Sequence, residues 1–147
     1  MNAPADLARG WLLKAASDLR AAKACAAAGS PDVACFHCQQ TAEKSLKAYL
    51  IFHEVGFPFS HDLGRLIALC EKNDSSFHSL AAEAVSLNPY AVDMRYDAEF
   101  WPTQEEVAEE MAKAEKINRF VSERLPVASP SLTPATKSGS NPQTDLP

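Results

Sequence analysis

Apolar residues recur at every third or fourth position along most of this chain, a period typical of helices with one buried face. The first such stripe comprises Leu7, Trp11, Ala15, Leu19, Ala22 and Ala26. Hydrophobic residues make up 46% of the sequence, with alanine frequent and β-branched residues sparse, which favours helices over strands. We find no alternating strand pattern and no internal repeat. The sequence therefore predicts an all-α protein.

Residues that end or begin helices divide the chain into four or five helical segments. In chain order these boundary residues are Gly29, Ser30-Pro31, Gly56, Ser60, Asn88-Pro89, Thr103 and Pro126. Ser60 is expected to cap a short third helix, and a fourth helix is expected to begin near Phe77. Thr103 begins a capping box, with Glu106 three residues later. Because short loops favour antiparallel packing, we expect an up-and-down bundle of four to five helices over residues 1–125.

The remaining residues, 126–147, are rich in Pro, Ser and Thr and contain almost nothing apolar to bury. This composition predicts a disordered tail. No apolar run approaches the roughly 18 residues of a membrane span, and the N-terminus does not resemble a signal peptide. We therefore expect a cytoplasmic protein whose four cysteines stay reduced.

Two cysteines in the second helix, Cys35 and Cys38, form a Cys-x-x-Cys pair with His37 between them. A structural zinc site needs four ligands, and no second paired motif is present. Cys25 and Cys70 lie in other segments. We interpret Cys35 and Cys38 as packing residues, and we expect neither a metal nor another cofactor.

The same helix carries four polar residues at positions i, i+3, i+4 and i+7, which places them on one side. They are Gln40, Glu43, Lys44 and Lys47. One interpretation is a solvated face with a single Glu–Lys pair. The other is a polar surface that meets a partner subunit or an anionic ligand. The residues by themselves leave both open.

Three blocks of this sequence occur together in a characteristic order: FHCQQTAEKSLKAYL at 36–50, SHDLGRLI at 60–67 and YAVDMRYD at 90–97. In this respect the chain resembles the HEPN (higher eukaryote and prokaryote nucleotide-binding) domain family over about residues 5–125. The resemblance implies a bundle of helices that forms a homodimer. It also implies association with a minimal nucleotidyltransferase, as in prokaryotic toxin–antitoxin pairs.

HEPN ribonucleases resemble one another in an Arg followed, after four to six residues, by a His. The Arg holds the scissile phosphate, for which a permanent bidentate cation is suited. The His performs acid–base chemistry on the ribose 2′-hydroxyl, and histidine is the side chain that titrates near neutrality. Here Phe100, Trp101 and Pro102 stand where that His would follow Arg95. The chain is thus similar to the branch without the ribonuclease motif.

Arg95 lies in the least regular part of the predicted bundle, a kind of segment that often carries function. We interpret it as a buried structural residue tied to a carboxylate of Asp93, Asp97 or Glu43. In the alternative interpretation it binds a phosphate, with Lys44 and Lys47 as helpers.

The leading functional hypothesis is a non-catalytic, homodimeric HEPN-type module that binds a nucleotide, RNA or a nucleotidyltransferase. Its candidate ligand-binding residues are Gln40, Glu43, Lys44, Lys47 and Arg95. The rival hypothesis is a metal-independent endoribonuclease in which Arg95 holds the phosphate and His61 or Tyr96 transfers protons. A third is a structural helper protein that uses its tail as a tether.

Overall fold

The computed structural model describes residues 3–126, and every regular element in that range is helical. The five α-helices are α1 Pro4–Ala27, α2 Pro31–Phe52, α3 Leu63–Asn73, α4 Ala81–Leu87 and α5 Gln104–Arg124. Three 3-10 segments flank α4, namely Ser75–Leu80, Asn88–Tyr90 and Asp93–Tyr96. The predicted all-α bundle of four to five helices is confirmed. Apart from Pro126, the predicted tail lies outside the described residues.

Local signals explain most helix ends. Gly29, after α1, has a φ of +80°, a left-handed conformation that glycine adopts at little cost. Pro31 is the first residue of α2, where its missing N–H costs nothing. The Thr103 hydroxyl accepts the backbone N–H of Glu106 at 3.1 Å and so caps α5 as predicted.

Two boundaries differ from the prediction. The N-cap of α3 is Asp62, not Ser60, because the Asp62 carboxylate accepts the N–H of Gly64 at 2.9 Å. Ser60 instead accepts the N–H of Asp62. The segment around Phe77 is 3-10 rather than α-helical, since Asp74 accepts both the N–H and the hydroxyl of Ser76 and tightens that turn.

The central element is α2, and thirteen of its 22 residues are buried. The antiparallel α1 packs along one side of it. Along another side, α5 runs in the same direction as α2, with Val107 against Cys35 near one end and Asn118 donating to Ser45 at 3.0 Å further along. Because α2 is covered on several sides, its polar residues must find partners inside the protein.

The hydrophobic core fills the space between these helices. It is formed by fully or almost fully buried side chains that include Leu12, Leu46, Leu50, Leu66, Phe77, Leu80 and Ile117. Among residues 3–126, no helix combines the length and the apolar character that a membrane crossing requires.

Candidate functional site

A buried polar network surrounds Glu43, which is 4% exposed. One carboxylate oxygen accepts the Lys47 ammonium at 2.9 Å. The other accepts the Gln39 amide at 3.1 Å and the Nδ1–H of His61 at 2.9 Å. Gln39 also donates to the backbone carbonyl of His61 at 3.2 Å. These bonds attach the end of the loop between α2 and α3 to the centre of the bundle.

The Lys47 side chain is enclosed by aromatic rings. Its ammonium nitrogen lies 5.9 Å from the ring centre of Trp11 on α1 and 5.6 Å from that of Phe57. A cation near ring faces is stabilised by their negative charge. The Lys47 ammonium is thus held inside the protein by a carboxylate and two rings, and only 7% of the residue is exposed.

The hydrogen bonds of Glu43 also determine its protonation. Burial raises the pKa of the carboxyl, but the hydrogen bonds from Lys47, Gln39 and His61 outweigh burial. The pKa of Glu43 therefore lies below its ordinary value of 4.5.

We expect this lowered pKa to appear as a pH-dependent contribution to stability. A carboxyl whose pKa is lower in the folded state stabilises the fold above its unfolded pKa, and that stabilisation is lost as pH falls through the folded value. The difference in the free energy of unfolding between the wild type and Glu43→Gln should be constant above about pH 6 and should narrow below 4.5. Urea unfolding of both proteins at a series of pH values measures this difference. A difference that is the same at pH 7 and pH 3 would contradict this explanation.

A second polar cluster lies nearer the N-terminal end of α2. Asp18 of α1 is 8% exposed and binds two side chains of α2. One oxygen contacts Nδ1 of His37 at 2.8 Å, and the other accepts the Lys44 ammonium at 2.5 Å. Because an ionised carboxylate only accepts hydrogen bonds, Nδ1 of His37 carries a proton and Nε2 is left as the acceptor of the neutral ring.

His37 and Arg95 line one cavity of about 290 Å³, which we call the Arg95 cleft. Its lining residues are Asp32, Val33, Phe36, His37 and Arg95. The Arg95 guanidinium carbon lies 4.1 Å from the ring centre of Phe36, and the ring centres of Phe36 and His37 are 5.3 Å apart. The Phe36 ring therefore packs against both the Arg95 guanidinium and the His37 imidazole.

The structure corrects the interpretation of Arg95 as a buried residue tied to a carboxylate. Its side chain is exposed, and within residues 3–126 it forms no ion pair. It donates only to the backbone carbonyl of Ala91, at 3.4 Å. The guanidinium contacts the Phe36 ring instead of the carboxylate that we expected, because the 3-10 turn at Asp93–Tyr96 places Arg95 against α2.

Exposed apolar and aromatic side chains accompany Arg95 on the same irregular segment. Tyr96 is 76% exposed, with its ring centre 5.5 Å from the Arg95 guanidinium carbon, and Trp101 is 64% exposed. Tyr90, by contrast, is half-buried and packs against the core. Tyr96 and Trp101 therefore offer surfaces on which a planar group could stack.

The structure separates the residues that the sequence grouped as one ligand-binding set. Glu43 and Lys47 belong to the buried network, and Gln40 extends that network by donating to Gln39 at 2.7 Å. Lys44 is engaged by Asp18. The open polar face suggested by the helical spacing is therefore occupied by internal contacts, and Arg95 lies in a cleft to which none of these four residues contributes.

His61 and Tyr96, the proton-transfer candidates, also have defined positions. His61 reaches across to Glu43 and lines a different cavity, together with Asp62, Asn88, Ala91, Val92 and Asp93. Tyr96 lies beside Arg95 but outside the lining of the cleft.

The sequence reasoning did not identify Asp18, nor did it connect His37 with Arg95. A usable signal existed for Asp18. It stands within the buried stripe of α1, between Ala15 and Ala22, and a charged residue at such a position needs a polar partner. His37 was considered only as part of a possible metal site, because it lies between Cys35 and Cys38.

The two cysteines that flank His37 are fully buried. Burial, and to a smaller extent the charge of Glu110, raises the pKa of Cys35 to about 12. Burial also raises the pKa of Cys38. Both are therefore thiols that pack between helices, and within residues 3–126 no group of three or more His, Cys, Asp or Glu side chains is placed to hold a metal ion.

Comparison with known proteins places this geometry in context. The HEPN domain family model matches residues 8–125. The crystal structure of TT1696 from Thermus thermophilus is 31% identical and superposes with a TM-score of 0.72, covering 80% of this chain and 98% of that one. ST0689, described as an archaeal HEPN homologue, is 23% identical with a TM-score of 0.64, covering 84% of this chain and 98% of that one. No curated protein matches the sequence.

Proposed function

Because this chain belongs to the HEPN domain family, we propose that it acts by binding RNA, with a backbone phosphate held in the Arg95 cleft. The observation that carries this proposal is the exposed Arg95 guanidinium, which rests on Phe36 and forms no ion pair within the described part of the chain. A guanidinium that stacks on a ring and forms no ion pair keeps its donors available for phosphate oxygens.

The surroundings of the cleft favour a single-stranded chain over a free phosphate. Asp32 lines the cleft, and Asp93 and Asp97 flank Arg95 in sequence. These carboxylates would repel the double charge of a terminal phosphate more than the single charge of a phosphodiester. The exposed rings of Tyr96 and Trp101 supply stacking surfaces for unpaired bases, as in other proteins that bind single strands.

The rest of the functional hypothesis stays a prediction. The homodimer, the nucleotidyltransferase partner and the toxin–antitoxin pairing are predicted from the family resemblance, and the cytoplasmic location is predicted from the sequence. Of the ribonuclease hypothesis, the part that used His61 loses support, because His61 is bound to Glu43 and lines another cavity.

Arg95→Ala tests the proposal. We expect the variant to bind a labelled single-stranded RNA about tenfold more weakly than the wild type, since a charge-assisted hydrogen bond is worth about 1.5–3 kcal/mol. Fluorescence anisotropy with a mixed-sequence oligonucleotide carrying 2′-O-methyl riboses would measure affinity without cleavage.

A matched control is Arg119→Ala. Arg119 is exposed on α5, twelve residues beyond Val107, which lies near the level of the cleft. That separation is about 18 Å along the helix axis. We expect unchanged affinity in the control. An equal loss of RNA affinity in both variants, or no RNA binding by the wild type, would disprove the assignment of phosphate binding to Arg95.

A further inference from the structure

We propose that the outer face of α3 binds an acidic amphipathic helix of another protein, in a groove that we call the α3 groove. This inference is independent of RNA binding at the Arg95 cleft. The α3 groove has a volume of about 330 Å³ and shares no lining residue with that cleft. It lies between α3 and the loop before it, and its lining residues are Gly56, Phe57, Pro58, Arg65, Ala68, Leu69 and Lys72.

Two cations stand at the ends of the α3 groove. Arg65 lies in the first turn of α3 and Lys72 in the last, and both are exposed. Within residues 3–126 neither of them forms an ion pair. Seven positions separate them, which is about 10 Å along the helix axis. The groove therefore presents two available positive charges on a chain whose net charge is −5.

The carboxylates of α3 and of its two ends are engaged elsewhere. Asp62 caps the helix by accepting a backbone N–H of its first turn at 2.9 Å. Glu71 contacts a histidine at 3.0 Å, and Asp74 contacts an arginine of α5 at 3.4 Å. No carboxylate is among the residues that line the groove. An anionic partner thus meets no opposing charge on the lining.

The floor between the two cations is apolar. Ala68 and Leu69 follow Arg65 by three and four positions, so they lie on the same side of the helix. Phe57 of the facing loop packs against the core, and its ring centre is 5.6 Å from the buried Lys47 ammonium. The facing wall is therefore attached to the buried network around Lys47.

This arrangement matches one face of an acidic helix. Two carboxylates seven positions apart on a helix have the same axial separation as Arg65 and Lys72. Apolar residues three and four positions after the first carboxylate lie between them and cover the floor, which is the helix-in-groove mode of recognition. A nucleic-acid strand gains little from an apolar floor, and its phosphates are bound by larger clusters of cations than this pair.

The partner is a different protein rather than a second copy of this chain. Among α1 to α5, no helix contains two Asp or Glu residues seven positions apart. In α5, the most acidic of them, Ala112 follows Glu105 by seven positions and Lys116 follows Glu109 by seven. The described helices of this chain therefore lack the pattern that fits the groove.

The test uses a stapled helical peptide of about 15 residues, because shorter isolated helices are marginal in water. The peptide carries two Glu seven positions apart, with Leu at the third and fourth positions after the first Glu. Fluorescence polarisation of the labelled peptide, titrated with wild-type protein to about 1 mM, should show saturable binding. The double variant Arg65→Glu/Lys72→Glu should bind at least about tenfold more weakly, since like charges across an interface oppose association.

Two controls separate binding in the groove from general charge attraction. The matched double variant Arg20→Glu/Arg119→Glu makes the same change in net charge at two exposed cations outside the groove, and it should keep the wild-type affinity. A peptide with Lys in place of both Glu should bind Arg65→Glu/Lys72→Glu and not the wild type. Circular dichroism should give the same helix content for all variants, because the four residues are exposed.

The proposal is overturned if the wild type does not bind the acidic peptide, or if both double variants lose affinity for it equally. It is also overturned if Arg65→Glu/Lys72→Glu binds the 2′-O-methyl oligonucleotide as weakly as Arg95→Ala does, because the groove would then belong to an RNA-binding surface. The RNA affinity of Arg95→Ala tests the proposed function separately.

Discussion

Glu43→Ala should reduce the free energy of unfolding by about 3–5 kcal/mol, which is the usual cost of removing one partner of a buried ion pair. The substitution leaves the Lys47 ammonium, 7% exposed and between two rings, without an anion. Gln39 and His61 lose their acceptor at the same time. An uncompensated buried charge costs more than the pair contributed, because its lost hydration is no longer offset.

Glu71→Ala is the matched control for this substitution. Glu71 contacts Nδ1 of His78 at 3.0 Å, almost the distance between Glu43 and His61, but the His78 side chain is 80% exposed. Exposed pairs contribute about 0–1 kcal/mol, so we expect a loss within that range. Urea unfolding followed by circular dichroism compares both variants with the wild type. Similar losses for the two glutamates would show that burial does not govern the strength of these contacts.

Phe77→Ala is the second large effect we expect, with a loss of about 3–5 kcal/mol. The Phe77 side chain is fully buried, and its ring centre lies 4.5 Å from that of Tyr49 and 4.9 Å from that of Phe120. Truncation removes apolar contact area and leaves a cavity between α2 and α5 that the surrounding helices fill only in part. The ring pairs with their tilted and edge-on geometry are lost as well.

Phe59→Ala provides the control, because Phe59 is 99% exposed. A surface substitution of this kind should change the free energy of unfolding by no more than about 0.5 kcal/mol. The loss in the free energy of unfolding for Phe77→Leu should lie between those of the other two variants, since leucine keeps part of the buried volume. The same denaturation measurement serves all three variants. A Phe77→Ala protein as stable as Phe59→Ala would mean that the core around residue 77 is not packed as described.

These two predictions concern the scaffold, while the Arg95 cleft lies at the other end of α2. Phe36 and His37 are in the second turn of that helix, and Glu43 and Lys47 follow two to three turns later. The buried network attaches the loop before α3 to α2, whereas the cleft is lined by the N-terminal part of α2 and by the irregular segment after α4. Stability and ligand binding are thus assigned to different stretches of one helix.

The sequence by itself determined the helices and most of their ends. The period of the apolar stripe in α1, the left-handed Gly29 and the Thr103 cap are local features, and each acts within a few residues along the chain. The same locality explains the partial failures. The N-cap of α3 is Asp62 rather than Ser60, although both residues are able to cap a helix. The side chain of Asp74 accepts a hydrogen bond from Ser76 and makes the segment around Phe77 a 3-10 helix, which apolar spacing does not reveal.

Only the tertiary structure decided which polar residues are available. Helical spacing placed Glu43 and Lys47 on one face of α2, but whether that face meets water depends on what packs over it, and here the neighbouring elements cover it. In the same way Asp18 and His37, nineteen residues apart, meet across the α1–α2 pair, and Arg95 joins His37 from a distant turn. Such encounters arise from packing between elements. Spacing along the chain can show that a buried charge such as Asp18 needs a polar partner, but it does not identify that partner.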